Sequence, residues 1–308
     1  MKERKKEKID IKSICNEKII KDLEERIALL EKGDIVSSWK CPWKRLGAAR
    51  NYITKRKYSI RNQLLLDGEG GYYAGFKQWK DCGGVVKKGE HGKMITYLAW
   101  YKKKDKEGNY IKDEDGEFVK FPKILYLNVF HQSQIEGIQF ENIGPVENQD
   151  RTDEEKCLEI IDILEEYCRR EGIKVEEDDM DRAFFSPARN IIHLPKRESF
   201  FSLNEFVATF AHECGHSTGI KLGREVKNFF GDEKYSREEL VAEITSAALL
   251  NSVGLQENDR YSNQLDYLIS WLKSLKNDKH MFYYAAGQAE KAVKMILNED
   301  SEESSKEE

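Results

Sequence analysis

His212-Glu213-Cys214-Gly215-His216 is the stretch on which the reading of this chain turns. Two histidines four residues apart stand one above the other on a helix, so both imidazoles can reach a single cation. The flanks favour a helix: Phe206, Val207, Phe210 and Ala211 precede the motif at helical spacing, and Gly219 follows as a natural stop. A glutamate beside such a pair is placed to take a proton from an attacking water and pass it to a leaving amine.

That chemistry belongs to zinc peptidases, so His212 and His216 are expected as metal ligands and Glu213 as the catalytic residue. A catalytic zinc needs a third protein ligand and an open position. A metzincin would carry a third histidine six residues after the second; Leu222 stands there and excludes that class. The other solution is a glutamate on a following helix, and Glu238-Glu239-Leu240-Val241-Ala242-Glu243 offers candidates. Glu239 and Glu243 are themselves one turn apart, so one can bind the metal while the other accepts a hydrogen bond from a ligating imidazole. The segment resembles the E-x-x-A pattern of glutamate-type zincins, with Glu239 as ligand and Glu243 beside the imidazole, the swap remaining open. Imidazole and carboxylate donors accept Zn2+ and also other first-row ions such as Mn2+. Tyr235 is a candidate to steady an oxyanion by residue type alone. Asn190-Ile191-Ile192-His193-Leu194-Pro195 is expected as an edge strand along which an extended peptide is laid, with His193 structural. Cys214 falls off the two-histidine face and is expected as a small buried residue.

With 308 residues the chain has room for two domains. The fold class expected is α+β: a mixed N-terminal domain over residues 1–145 and a mostly helical C-terminal domain with a small sheet over 150–297. An amphipathic helix is predicted over about Ile9–Leu30, ending at Gly33. Strands are expected at Met94–Trp100 and Ile124–Phe130, joined by a charged excursion with a turn at Asp115-Gly116. Residues 141–150 read as a linker, Thr152–Glu171 as a helix capped by Thr152 and Gly172, and four further helices follow near 203–218, 236–253, 262–276 and 278–297. The acidic tail from 298 to 308 has nothing to bury and is expected to be disordered. No segment has the apolar length of a membrane span, the N-terminus lacks the apolar core of a secretion signal, and the six cysteines show no paired spacing. The expectation is a cytoplasmic protein with reduced thiols and no membrane partner.

The net charge of -5 conceals two halves. Residues 40–104 carry 16 lysines and arginines against four acids, a net +12, which leaves about -17 for the remainder. Trp39, Trp43, Tyr52, Tyr58, Tyr72, Tyr73, Phe76 and Trp79 are interleaved with these cations. Cations attract phosphates and flat rings stack on unpaired bases, so the pattern points to single-stranded nucleic acid. The glycine-flanked turn Lys87-Lys88-Gly89-Glu90-His91-Gly92-Lys93 lets backbone approach a ligand, but no phosphate-binding P-loop occurs.

Several strings together resemble one family. Asn51-Tyr52, Tyr58-Ser59-Ile60-Arg61-Asn62, Phe76-Lys77-Gln78-Trp79, Gly83-Gly84-Val85-Val86-Lys87-Lys88-Gly89-Glu90 and Val129-Phe130-His131-Gln132-Ser133-Gln134-Ile135-Glu136-Gly137 resemble the N-terminal domain of ArdC-type antirestriction proteins. His212 through Gly219, Phe230 through Tyr235 and Glu239 through Glu243 resemble the family's zincin-like domain. Over about residues 35–297 the resemblance implies a single-stranded DNA-binding domain followed by a metallopeptidase fold. It also implies carriage on mobile elements, protection of incoming DNA, and a host restriction enzyme or another protein substrate as a further partner. Cys214 departs from the family's common leucine, and the basic N-terminus and charged hairpin look like local additions. The residues expected at DNA are Arg50, Tyr52, Lys55, Lys57, Tyr58, Asn62, Lys77, Trp79, Lys87 and Lys88. Two other readings stay open at this point: a restriction-blocking module whose metal is structural, and a cytosolic regulatory peptidase that cleaves a repressor.

Overall fold

Thr152 starts a helix because its hydroxyl accepts the N–H of Glu155 at 3.2 Å while the Glu155 carboxylate accepts the N–H of Thr152 at 2.8 Å. Gly172 stops it in the left-handed region, at φ 65°. Similar local rules set the rest of the chain, whose computed structural model describes residues 9–33, 41–44, 46–140, 151–225, 233–255 and 265–299, with backbone alone at 233–235. In order these form α1 (Ile11–Glu31), β1 (Ala49–Asn51), α2 (Ile60–Leu65), β2 (Gly71–Gly75), α3 (Phe76–Asp81), β3 (Val85–Val86), β4 (Lys93–Lys102), β5 (Lys120–His131) and β6 (Ile135–Glu136). There follow α4 (Asp153–Glu171), β7 (Lys174–Asp178), β8 (Phe184–Ser186), β9 (Ile191–Pro195), α5 (Leu203–Ser217), α6 (Glu233–Ser252), α7 (Leu265–Asn277) and α8 (Met281–Ile296). The expected linker at 141–150 and the tail from 300 onward lie outside the described residues.

Two compact units result, one built around Arg50–Arg56 and Gly71–Phe140, the other from Lys12–Ala49 and Lys57–Gly70 together with the C-terminal half. The packing is therefore discontinuous in sequence, whereas the sequence reading drew one boundary near residue 145. The reason lies in α1, which buries Cys15, Asn16, Ile19, Leu23 and Ile27 at helical spacing. Asn16 donates to the Leu275 carbonyl at 2.8 Å and accepts from the Phe282 N–H at 3.2 Å. Trp43 meets Trp271 at 5.1 Å between ring centres. These early segments complete the core of the late helices.

In the first unit β1, β2, β5 and β4 lie side by side in that order, and β3 pairs with β6. Its small core gathers Ala74, Trp79 and Ile135, with Tyr52, Tyr72, Phe130 and Phe140 packed around them. β4 and β5 form a long antiparallel ribbon, from Lys93 opposite Val129 to Lys102 opposite Lys120. Its far end is two successive turns rather than one hairpin: Asp105 accepts the N–H groups of Glu107 and Asn109, and Asp113 those of Asp115 and Glu117. Gly108 and Gly116 supply the positive φ that each turn requires.

In the second unit β9 runs between β7 and β8, parallel to the first and antiparallel to the second. The expectation of Asn190–Pro195 as an edge strand is thereby corrected: from Ile191 to His193 it has neighbours on both sides, so no peptide can be added along that part of it. α5 begins at Ser202, whose hydroxyl accepts the Glu205 N–H at 3.2 Å. It is buried almost all round, by Phe206, Val207, Phe210, Ala211 and Cys214, as the central helix of a layered unit must be.

Candidate metal centre

The two motif histidines project from α5 one turn apart, and their Nε2 atoms lie 3.1 Å from each other. α6 crosses α5 at Gly215: a Cβ there would meet Ala242 Cα at 3.1 Å and Thr245 Cβ at 3.3 Å. A glycine gives this crossing room that a methyl would crowd, and the crossing sets Glu239 beside the histidines. Its Oε1 is 3.3 Å from His216 Nε2 and its Oε2 is 3.5 Å from His212 Nε2.

Three donor atoms thus converge on one point. Donors held about 2.0–2.1 Å from a tetrahedral ion are separated by about 3.3 Å, so the set fits a divalent metal with two imidazoles and one carboxylate. The side chains of His212 and Glu239 remain 22% and 25% exposed, which leaves an open approach for a substrate.

Behind His216 stands an arrangement that the sequence reading missed. Its Nδ1 lies 3.3 Å from Glu238 Oε1. Arg224 grips the same carboxylate through Nε at 2.9 Å and a terminal nitrogen at 3.0 Å, and also donates to the Gly215 carbonyl and the Thr218 hydroxyl. A carboxylate on Nδ1 fixes the imidazole with its Nε2 lone pair toward the converging donors. The place beside the imidazole that was expected for Glu243 is therefore filled by Glu238. Glu243 instead pairs with the buried Lys44 at 3.0 Å and accepts from the Tyr267 hydroxyl at 3.0 Å. One turn along α6 displaces it about 6 Å from Glu239, toward the Pro42–Lys44 turn. A signal for Glu238 did exist, since it lies on the same stripe as the small residues Ala242 and Thr245 that face α5.

Charge follows the geometry. Burial works against a charged His216, but hydrogen bonds to Glu238 and Glu239 outweigh it and push its pKa up to about 10. His212 is also raised, burial being overcome by Glu239. Burial would raise Glu239, yet its bonds to the two histidines hold it well below the usual carboxylate range. Glu238 is lowered too, His216 and Arg224 outweighing its burial. A metal entering this site must displace protons from the imidazoles. Glu213 is buried, its negative charge helps raise both histidines, and no protein donor among the described residues engages its carboxylate.

The remaining candidates fall into place around this centre. His193 is a structural residue: Nδ1 lies 2.7 Å from the Arg182 carbonyl, Nε2 2.9 Å from Asp178, and its ring stacks on Phe184. Cys214 is fully buried, with its sulfur 3.8 Å from that of Cys168. The Tyr235 side chain lies outside the described residues.

The residues expected at DNA are divided between the two units. Trp79 is fully buried and donates to the Phe130 carbonyl at 2.9 Å, so it is core and offers no base a surface. Tyr52 packs on Trp79 at 4.6 Å and is covered by Lys55 at 4.0 Å. Arg50 donates to the Lys55 carbonyl, and Lys87 donates to the Ser133 carbonyl at 2.8 Å. Lys77 and Lys88 are exposed. Lys57, Tyr58 and Asn62 belong to the other unit, and Asn62 is buried in α2. Among the described rings of the first unit, Phe76 of α3 is 61% exposed, and the β4–β5 ribbon leaves several more in water, of which Trp100 and Tyr126 fall within the two segments read from sequence as strands.

A helix bearing two histidines, a second helix supplying a carboxylate and a small three-stranded sheet define a zincin-like metallopeptidase fold. The comparisons agree: a zincin-like metallopeptidase family model matches residues 162–288, and a model of the N-terminal domain of anti-restriction factor ArdC matches residues 12–130. The chain belongs to the ArdC-type antirestriction proteins. It is similar to the crystal structure of the antirestriction ArdC protein from the R388 plasmid in its metal-free form, with a TM-score of 0.66 and 26% identity, covering 94% of this chain and 97% of that one. The Mn(II)-bound form of the same protein gives a TM-score of 0.64 at 26% identity, covering 92% and 97%. Among curated relatives, a DNA primase TraC of Escherichia coli is 29% identical over 294 residues, which is 89% of this chain but 26% of that protein. An uncharacterized protein of Sinorhizobium fredii is 26% identical over 90% of each chain. This chain thus spans about a quarter of the length of the primase. No helix among the described residues is long and apolar enough to cross a membrane.

Proposed function

We propose that this protein binds single-stranded DNA through its N-terminal unit and is a metal-dependent peptidase at His212, His216 and Glu239, acting in antirestriction. The observation that carries the peptidase reading is the convergence of three donor atoms at 3.1–3.5 Å with Glu213 beside them. A bound Zn2+ or Mn2+ would supply Lewis acidity to a carbonyl and to an attacking water. His212 and His216 would present neutral Nε2 atoms, the latter oriented by Glu238. Glu213, with no protein donor on its carboxylate among the described residues, is placed to accept the water's proton and return it to the leaving nitrogen. Lys and Arg of the basic half would neutralise phosphates.

The test uses the full chain. Glu239→Ala should abolish tight Zn2+ or Mn2+ binding measured by calorimetry. Glu213→Gln should retain the metal and lose peptide cleavage by about 10²–10⁴-fold, the usual contribution of a general base. Retention of antirestriction in cells carrying Glu213→Gln would sink the peptidase account of that effect and favour a blocking module. Absence of metal binding by the wild-type chain would overturn the metal centre itself.

A further inference from the structure

We infer that one face of the β4–β5 ribbon is the stacking surface for single-stranded DNA, an inference that rests on the DNA-binding reading above and locates it. The sequence placed base-stacking rings at Tyr52 and Trp79, but the structure commits these to the core. The ribbon does the reverse. Strand alternation puts Leu98, Trp100 and Lys102 of β4 on one face with Ile124, Pro122 and Lys120 of β5 directly across, and Tyr126 further down. Trp100 is 61% exposed, Leu98 57% and Tyr126 44%. Large rings left in water on a two-stranded ribbon mark a surface that another molecule covers.

The charges say what kind of molecule. Lys102 and Lys120 are direct cross-strand neighbours on that same face, an arrangement of like charges that destabilises a ribbon unless an anion lies across it. Neither forms an ion pair among the described residues, nor do Lys103, Lys104 or Lys123, although six acids lie within the intervening 105–117 segment. Asp105 and Asp113 are engaged by backbone N–H groups of their own turns. Lys102 and Lys104 lie over the Phe118 and Tyr110 rings at 3.7 and 4.7 Å, contacts that leave their positive charge unneutralised, and such cations beside the bare Trp100 ring complement a chain of phosphates with unpaired bases. Paired bases are already stacked on one another and have no use for Trp100. On the opposite face Tyr97, Tyr101 and Phe121 are also 42–44% exposed, but Tyr101 and Phe121 pack together at 6.1 Å with Lys123 near the Tyr101 ring, and that face carries no ring as bare as Trp100.

The probe is a fluorescein-labelled 20-nucleotide oligothymidylate titrated with full-length protein and read by anisotropy. Trp100→Ala with Tyr126→Ala should weaken binding at least about tenfold, and Lys102→Gln with Lys120→Gln should reduce the slope of log affinity against log salt by about 1.4. Tyr101→Ala with Phe121→Ala, on the other face, should leave affinity within about twofold, and circular dichroism should show each variant folded. Unchanged binding by the Trp100/Tyr126 variant, with wild type binding, would overturn this surface while leaving the DNA reading intact. Failure of wild type to bind would overturn both. Loss of self-association in sedimentation, with DNA affinity unaltered, would make the face a contact between copies and overturn the inference.

Discussion

Arg224→Met is the perturbation that most directly tests how the metal centre is held. The Arg224 side chain is 2% exposed and that of Glu238 is 8%, so both charges sit out of water and are kept there by each other. Removing the guanidinium leaves Glu238 with the His216 imidazole as its one partner among the described residues, and takes a donor from the Thr218 hydroxyl and from the Gly215 carbonyl, which keeps the Thr218 O–H at 2.7 Å. Breaking a buried pair on one side costs about 3–5 kcal/mol, whereas replacing both partners by apolar groups is often near neutral. Arg224→Met should therefore lower the urea stability of the metal-free protein by about 3–5 kcal/mol, and Arg224→Met with Glu238→Leu should recover most of that loss. The double variant still lacks the carboxylate on His216 Nδ1, so its Zn2+ affinity by calorimetry should remain about 10–100-fold below wild type. Recovery of stability without recovery of affinity is the signature of an orienting pair. A loss below about 1 kcal/mol in Arg224→Met, or wild-type metal affinity in the double variant, would refute the reasoning.

Three further outcomes follow from the packing. Gly215→Ala places a methyl 3.1 Å from Ala242 Cα; overpacking of about 1–3 kcal/mol is only partly offset by about 1 kcal/mol of better helix propensity, so unfolding should come at lower urea and Zn2+ affinity should fall with it. Trp79→Ala should cost the first unit about 3–5 kcal/mol by thermal unfolding, as a core residue does, and Trp79→Phe should leave oligothymidylate affinity unchanged where Trp100→Ala weakens it. Asp278 is held below its ordinary pKa because the Arg237 guanidinium and the His280 N–H outweigh its burial. A carboxylate lowered in the fold stabilises fully above its unfolded pKa and loses that contribution as pH falls through the folded one. The stability gap between wild type and Asp278→Asn, measured by urea titration, should thus be constant above about pH 5 and shrink below about pH 4.

What the sequence disclosed and what it hid divide along a physical line. A helix repeats every 3.6 residues, so spacing alone could set His212 over His216 and Glu239 on a turn that reaches them, and capping chemistry could set Thr152 and Gly172 at the ends of α4. Spacing does not say which side of α6 meets α5, because that depends on where two helices can touch most closely. Gly215 decides it, and with it the choice of Glu238 over Glu243 as the carboxylate behind His216. Strand order is hidden for a like reason: β9 looks the same in sequence whether one neighbour or two use its backbone, and only the assembled sheet shows that β7 and β8 flank it. Aromatic residues among lysines are ambiguous in the same way, since Trp79 and Trp100 stand in similar company yet one is fully buried and the other 61% exposed. Burial of a ring is set by the sheet and helix that close over it. The rings left outside by that closure, and not the density of rings along the chain, are the ones available to a partner.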